Sequence, residues 1–213
     1  MEQDGLDFDA IILAGGRSSR LGGVAKQNLV LHNSTLLQRA LAAAAGASRT
    51  VVVGPDPGTL PSGVIHCREQ PEFGGPAAAI AAGLAVLADT GSRSLHTLVL
   101  ACDMPRIQDA LAVLKPALRA AGGDGVVARS ADGRLQPLAG FYSTAALRTA
   151  AQDLSSRGAL INASVRSLLA SLDVQPVTVP AGSTADVDTW DDAAALGIDP
   201  GRQGGDQDRR SRS

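Results

Sequence analysis

The chain has 213 residues, a formal net charge of −2, 45% hydrophobic residues and 19% charged residues. This composition is typical of a globular protein and excludes a largely disordered chain. The near-neutral charge and the presence of only five aromatic residues disfavour a nucleic-acid binder, which needs a basic surface and aromatic stacking platforms.

The cysteines and the first residues bear on the cellular compartment. Cys67 and Cys102 have no CxxC spacing, so the sequence indicates neither a disulfide framework nor a zinc site. The acidic start lacks the basic and apolar segments of a signal peptide, and no apolar run reaches the roughly 20 residues of a membrane span. We therefore expect a cytoplasmic protein without membrane association.

Short apolar segments alternate with longer helical patterns along the chain. In chain order we predict a strand over residues 10–13, a helix over 34–45 capped by Ser34, strands over 50–53 and 64–66, a helix over 77–88, a strand over 97–101, a helix over 107–121, strands over 125–128 and 135–142, helices over 144–154 and 161–172, a strand over 174–179 and a helix over 189–196. This alternation predicts an α/β fold, with a mostly parallel sheet covered by helices on both faces. We expect one domain over residues 1–198 and a polar, disordered C-terminal tail over residues 199–213.

The loop after the first predicted strand, residues 14–26, is the most informative segment. Its four glycines let the backbone approach a ligand closely, and Arg17, Arg20 and Lys26 supply the positive charge that a polyphosphate requires. Lys26 is one of only two lysines, the other being Lys115. The loop matches neither a Walker A motif nor a dinucleotide-binding fingerprint. The alternative is a mobile surface loop with incidental charges.

Two acidic motifs come later in the chain. Asp103 directly follows the predicted strand 97–101, at the strand end where α/β sheets bind ligands, and it could hold Mg²⁺ against phosphate oxygens. The alternative is that Asp103 caps the next helix. Alternation along residues 186–192 places Asp186 and Asp188 on the same side of an extended segment, with Asp188 the better metal candidate.

These motifs, in this order, resemble the nucleotidyltransferases of the molybdenum cofactor guanylyltransferase type. The resemblance covers roughly residues 9–197 and rests on five segments: Leu-Ala-Gly-Gly-Arg-Ser-Ser-Arg-Leu-Gly-Gly at 13–23 followed by Lys26, Gly-Pro-Ala-Ala-Ala-Ile at 75–80, Cys-Asp-Met-Pro at 102–105, Gln-Pro-Leu at 136–138, and Asp-Val-Asp-Thr-Trp-Asp-Asp at 186–192. It implies a Rossmann-like nucleotide-diphosphosugar transferase fold. The implied reaction is attack of a substrate phosphate on the α-phosphorus of a nucleoside triphosphate, with release of pyrophosphate.

The resemblance also implies a set of site residues. The residues implied to act in catalysis are Arg17, Arg20, Lys26 and Asp103. Those implied to bind the nucleotide are Leu13, Ala14, Gly15, Gly16, Lys26, Glu69, Gly75, Pro76 and Asp103. The cofactor is Mg²⁺, held by Asp103 and Asp188.

The resemblance further implies the substrates and partners. GTP or another nucleoside triphosphate would be the donor and a molybdopterin-type compound the acceptor, with transient contact to molybdenum cofactor biosynthesis proteins. The chain departs from the family pattern at Ala25, where Asp is common, at Ala77 and Ala79, where Leu and Gly are usual, and in the Asp-x-Asp of residues 186–188, where Asn-x-Asn is usual. Three alternatives therefore stay open: a cytidylyltransferase of the same cofactor, a transferase acting on a sugar phosphate, and a degenerate member that binds nucleotide without turnover.

Overall fold

The computed structural model describes residues 6–15 and 25–198. Its strands are β1 (Phe8–Leu13), β2 (Val30–Leu31), β3 (Ser34–Thr35), β4 (Thr50–Val53), β5 (Val64–Cys67), β6 (His96–Ala101), β7 (Gly125–Arg129), β8 (Leu135–Ser143) and β9 (Val174–Thr178). Its helices are α1 (Leu36–Ala43), α2 (Pro76–Asp89), α3 (Ile107–Ala120), α4 (Thr144–Ser156), α5 (Val165–Leu169) and α6 (Trp190–Ala195), with a short 3-10 helix over Lys26–Asn28.

Seven strands form one sheet in the order β5-β4-β1-β6-β8-β7-β9. Strand β8 runs antiparallel to both of its neighbours, and the remaining pairs are parallel. In the parallel half, Leu13 is level with both Val53 and Ala101, and Val53 is level with Cys67. Strands β1, β4, β5 and β6 therefore end on one line, and the loops that follow them meet at the same edge of the sheet.

Both faces of the sheet are covered, which confirms the predicted mostly parallel α/β architecture. On one face, Ile12 and Leu100 pack with the apolar sides of α1 and α3. On the other face, Ile11 and Val99 pack with α2, α4 and α5. Successive residues of a strand point to opposite faces, so the continuous apolar runs in β1 and β6 supply both layers.

A third apolar cluster joins the first part of the chain to its last helix. Leu29, Leu31 and Leu36, around the β2–β3 hairpin, pack with Val187 and Ala193. This cluster brings the segment after Lys26 beside the segment that carries Asp186 and Asp188.

Two local predictions differ from the structure. Thr35, not Ser34, caps α1: its hydroxyl accepts from the Gln38 N–H while the Gln38 side chain accepts from the Thr35 N–H. Ser34 instead lies in β3, a hairpin strand of two residues. The helix expected over residues 161–172 is only α5, because Ser164 caps it and residues 160–163 form a turn.

The remaining expectations concern membrane spans and residues outside the described ranges. No helix within residues 6–15 and 25–198 is long and apolar enough to cross a membrane. The tail expected over residues 199–213 lies outside the described residues, as do Gly16, Arg17 and Arg20.

Candidate active site

The loops that follow the level strand ends enclose a cavity of about 590 Å³. Ala14 and Gly15 follow β1, Pro55 follows β4, and Asp103 follows β6, and all four line the cavity. Further lining residues come from β8 and the start of α5, including Gln136, Pro137, Leu138 and Arg166. A concave space at the carboxyl ends of parallel strands is where α/β sheets bind their ligands.

Lys26 lies between two carboxylates at this edge of the sheet. Its Nζ donates to Asp103 Oδ2 at 3.2 Å and also to Asp188 Oδ1. The Lys26 and Asp103 side chains are 17% and 21% exposed, whereas Asp188 is 48% exposed. Residues separated by 77 and 162 positions in sequence thus converge on one ammonium group.

The fold holds Asp188 at this position from both of its neighbours. The Val187 N–H donates to the Asp103 carbonyl at 3.1 Å, which ties the two acidic segments together. The Asp192 carboxylate accepts from the backbone N–H groups of Asp188 and Thr189. Thr189 caps α6 in a capping box with Asp192, so this carboxylate does more than complement the helix dipole.

The charges at this end of the cavity are unequal. Burial works against the charged form of Lys26, but its hydrogen bonds and charge interactions with Asp188 and Asp103 outweigh burial and raise the Lys26 pKa above its ordinary value. Burial raises the pKa of the Asp103 carboxyl above its ordinary value, Lys26 offsets part of this effect, and the nearby charge of Asp186 adds to it. The one ammonium group faces two carboxylates, a third carboxylate lies near Asp103, and the excess negative charge favours a further cation.

Asp103 and Asp188 also have the chemistry of a Mg²⁺ site. Mg²⁺ takes oxygen ligands and is usually held by one or two carboxylates, with substrate phosphates and water completing its octahedron. Within the described residues, no three His, Cys, Asp or Glu side chains are placed to hold a metal ion. Two carboxylates that already face one cation fit a metal whose remaining ligands come from a bound triphosphate.

Asp103 does not act as a helix cap. The residue that precedes α3 is Arg106, and Asp103 lies three residues before it. The capping alternative for Asp103 is therefore wrong, and its carboxylate faces Lys26 instead.

The backbone of the first loop is braced from behind by Gly54. A Cβ added to Gly54 would lie 2.8 Å from both the carbonyl carbon of Ala14 and the nitrogen of Gly15. The Ala14 N–H donates to the Val53 carbonyl at 2.8 Å, which fixes the same approach. Gly54 has a φ of +150°, so glycine is required there for its backbone conformation as well as for space.

Glu69, Gly75 and Pro76 form another part of the wall. The buried Glu69 accepts a hydrogen bond from the Phe73 N–H at 3.0 Å. Gly75 precedes α2 with a φ of +90°, and Pro76 is the first residue of that helix. A Cβ on Gly75 would lie 3.2 Å from the Asn162 Cα, so this corner of the wall is closely packed.

The structure brings together every predicted site residue that lies within the described ranges. Lining the cavity are Leu13, Ala14, Gly15, Lys26, Glu69, Gly75, Pro76 and Asp103, and Asp188 joins them through Lys26. Gly16, Arg17 and Arg20 lie outside the described residues. Three residues at the cavity were not predicted from the sequence: Gly54, which packs against the first loop, and the lining residues Arg68 and Phe73. Of these, only Gly54, in the Gly-Pro-Asp-Pro-Gly turn after a predicted strand, gave a signal that could have identified it.

Comparison with known proteins gives a family match over most of the chain. Residues 10–177 match the model of the MobA-like NTP transferase domain. A molybdenum cofactor guanylyltransferase from Acidiphilium cryptum is 35% identical over 101 residues, which are 46% of this chain and 52% of that protein. The match thus spans about half the length of this curated relative.

Solved structures share the fold over nearly their whole length. The 2-C-methyl-D-erythritol 4-phosphate cytidylyltransferase of Francisella tularensis superposes with a TM-score of 0.70 at 15% identity, covering 90% of this chain and 98% of that one. A Mycobacterium tuberculosis protein solved in complex with manganese gives a TM-score of 0.60 at 22% identity, covering 89% and 97%. At these identities the likeness shows the fold alone.

Proposed function

The chain belongs to the family of MobA-like NTP transferase domains, and we propose that it transfers GMP from GTP to a molybdopterin-type acceptor. A phosphate oxygen of the acceptor forms a bond to the α-phosphorus of GTP. The bond from that phosphorus to the oxygen bridging the α- and β-phosphates breaks, and pyrophosphate leaves with the electron pair.

The observation that carries this proposal is the convergence of Lys26, Asp103 and Asp188 beside the glycine-containing first loop. Nucleotidyl transfer forms no covalent enzyme intermediate in this scheme, so it depends on positioning and on charge neutralisation. A cationic side chain and a pair of metal-binding carboxylates at one end of a nucleotide-sized cavity meet that need.

Each proposed residue has a defined task. Lys26 moves its ammonium from the carboxylates to the triphosphate, and Arg17 and Arg20 add positive charge there. Asp103 and Asp188 would hold Mg²⁺, which would supply polarisation of the reacting phosphate oxygens. The solved structure of a protein with this fold in complex with manganese is consistent with the use of a divalent cation.

The nucleotide's base and sugar are proposed to lie along the first loop and the α2 corner. The backbone of Leu13, Ala14 and Gly15 approaches them closely, and Gly75 and Pro76 border them. An ionised Glu69 can only accept hydrogen bonds, whereas the edge of guanine presents N–H donors. This chemistry supports GTP as the donor, as does the name of the curated relative.

The acceptor is proposed to bind along the lining residues of β8 and α5, namely Gln136, Pro137, Leu138 and Arg166. The Arg166 guanidinium suits an anionic group of the acceptor. A cytoplasmic location and transient contact with proteins that deliver the acceptor are parts of the same proposal.

Cytidylyl transfer is the second candidate. It is favoured by the Asp-x-Asp of residues 186–188, which departs from the usual Asn-x-Asn. The two candidates share the metal and triphosphate chemistry and differ only at the base.

The test is pyrophosphate release from GTP, CTP, ATP and UTP with Mg²⁺, each with the molybdopterin cofactor or with a sugar phosphate as acceptor. Turnover with GTP and the molybdopterin cofactor is expected. Preference for CTP would transfer the assignment to cytidylylation, and absence of turnover with every pair would refute both. Asp103→Asn should abolish turnover, while Asp109→Asn, at an exposed position of α3, should leave it intact.

A further inference from the structure

Strand β8 is irregular where it reaches the cavity. Val127 of β7 pairs with Gly140 of β8. The next residue of β7, Ala128, pairs with Gln136, so residues 137–139 of β8 fit between two adjacent residues of β7. Extra residues of this kind form a bulge, which bends the strand and re-aims side chains, often beside an active site. We call residues 137–139 the β8 bulge.

The β8 bulge lies at the edge of the sheet that carries Asp103. Leu100 of β6 pairs with Ala139 of β8, and Asp103 follows three residues after Leu100. Because β8 runs antiparallel to β6, the residues that precede Ala139 lie towards the edge where the parallel strands end. Residues 136–138 are only partly buried and line the cavity. The bulge thus converts strand residues into a cavity wall beside the end of β6.

A buried hydroxyl group holds the β8 bulge. The hydroxyl of Tyr142 donates to the carbonyl of Pro137 at 2.7 Å. Tyr142 is fully buried, and burial raises the pKa of its hydroxyl, so the hydroxyl keeps its proton and acts as a donor. A buried donor is costly to leave unpaired, so this hydrogen bond resists a change in the position of Pro137.

Gly140 provides the space that the Tyr142 side chain needs to reach back along its own strand. Residues two apart in a strand point to the same face of the sheet, so Tyr142 lies over the position of a Gly140 side chain. A Cβ on Gly140 would lie 2.6 Å from the hydroxyl oxygen of Tyr142 and 2.8 Å from the carbonyl oxygen of Val126. The bulge, the glycine and the tyrosine therefore depend on one another.

We propose that Tyr142 is a positioning residue for the acceptor, because its hydroxyl holds the β8 bulge where residues 136–138 contact the acceptor beside Asp103. The inference rests on the proposed function, which places the acceptor along these residues. Tyr142 is fully buried, so it acts through Pro137 and touches neither substrate. Its effect is on the acceptor and not on GTP, whose triphosphate is assigned to Lys26 and the first loop.

The test is the steady-state rate of pyrophosphate release by Tyr142→Phe, with GTP and the molybdopterin cofactor varied in turn in the presence of Mg²⁺. Phenylalanine keeps the buried ring and removes only the hydroxyl. Small displacements of substrate-positioning groups reduce rates strongly, and we expect kcat/KM for the cofactor to fall about tenfold while KM for GTP stays unchanged.

Thr97→Val is the matched control. Thr97 pairs with Tyr142 across β6 and β8, is fully buried, and shares a hydroxyl hydrogen bond of 2.9 Å with Thr144. This variant also loses a buried hydroxyl, but at the start of β6, whereas Asp103 follows the end of that strand. It should unfold at a lower temperature and keep the wild-type kinetic constants for both substrates.

A measurement on the wild-type chain does not depend on the folding of any variant. Tyr142 is the only tyrosine in the chain, so tyrosine labelled with ¹³C at Cζ gives one NMR signal from this residue. The signal should shift when the molybdopterin cofactor binds, because the cofactor changes the surroundings of the Pro137 carbonyl. It should stay in place when GTP and Mg²⁺ bind alone.

The results that would overturn the proposal concern the acceptor. Tyr142→Phe with unchanged kcat/KM for the cofactor, or with equal losses for the cofactor and GTP, would show that the hydroxyl has only a structural role. A tyrosine signal that does not respond to the cofactor, or that responds equally to GTP, would refute the positioning role as well. Wild-type protein without turnover would instead refute the proposed function, so the two failures are distinguishable.

Discussion

Replacing Lys26 by methionine should tighten the binding of a divalent cation in the absence of nucleotide. The Lys26 ammonium lies between Asp103 and Asp188, the two proposed metal ligands. A metal ion that binds both carboxylates must first displace it. Methionine keeps most of the length of the side chain but carries no charge, so the carboxylates would be left without this competitor.

The size of the effect follows from the geometry. Unit charges 3.2 Å apart, the distance from Nζ to Asp103 Oδ2, attract by about 5 kcal/mol at an effective dielectric constant of about 20. Solvent screening reduces this, because Asp188 is 48% exposed. If only about 1.4 kcal/mol of this attraction remains after screening, its removal changes the affinity for the cation tenfold. We therefore expect Lys26→Met to bind the cation at least about tenfold more tightly.

The assay is a Mn²⁺ titration followed by the electron paramagnetic resonance of the free ion. Lys115→Met is the control, because Lys115 is the only other lysine and lies over the ring of Phe8, away from the cavity. The same experiments with GTP present should show the reverse order, with the wild type binding more tightly than Lys26→Met. Equal or weaker Mn²⁺ binding by Lys26→Met without nucleotide would refute the competition between lysine and metal.

Three further outcomes are expected. Gly54→Ala should lower the free energy of unfolding by about 2 kcal/mol or more and weaken nucleotide binding, because the added Cβ would lie 2.8 Å from the backbone of the first loop. Gly58→Ala is the control, because its Cβ meets nothing within 4 Å and should leave nucleotide binding unchanged. Equal losses of nucleotide binding in the two variants would contradict the bracing role of Gly54. Burial, with a smaller contribution from a nearby carboxylate, raises the pKa of Cys67 to about 11, so only about 0.1% of this residue is thiolate at pH 8. In the native protein Cys67 should therefore react with iodoacetamide about a hundredfold more slowly than free cysteine, at a rate that rises towards pH 11. Fast labelling of Cys67 at pH 8 would contradict this. Asp192→Ala should lower the free energy of unfolding by about 1 kcal/mol in chemical denaturation, and it should weaken Mn²⁺ binding by releasing Asp188. An unchanged free energy of unfolding and an unchanged Mn²⁺ affinity would contradict the capping role of Asp192.

The meeting of the site loops could be predicted from the sequence because parallel strands place their carboxyl ends at one edge. The apolar runs at residues 10–13, 50–53 and 97–101 were sufficient to place Gly15 and Asp103 there. The contact of Lys26 with Asp188 was beyond sequence reasoning, because it depends on the third apolar cluster. That cluster joins two segments more than 150 residues apart, and no local pattern signals it.

Three other features of the fold could not be predicted from the sequence, each for a local reason. Strand β8 contains a buried apolar segment like those of the parallel strands, so its antiparallel direction leaves no mark in composition. The cap of α1 depends on which of two adjacent hydroxyl residues, Ser34 or Thr35, reaches the N–H of Gln38. The left-handed backbone of Phe73 depends on the hydrogen bonds of its turn with other segments, which no local sequence pattern signals.

We propose that Lys26, Asp103 and Asp188 form the reacting end of the nucleotidyl-transfer site. A crystal structure with Mn²⁺ and a non-hydrolysable GTP analogue tests this proposal, because the anomalous signal of manganese fixes the position of the metal. We expect a metal peak within about 2.2 Å of carboxylate oxygens of Asp103 and Asp188, with Lys26 moved onto the phosphates. A nucleotide bound elsewhere, or a metal held away from both carboxylates while Lys26 keeps its place, would contradict it.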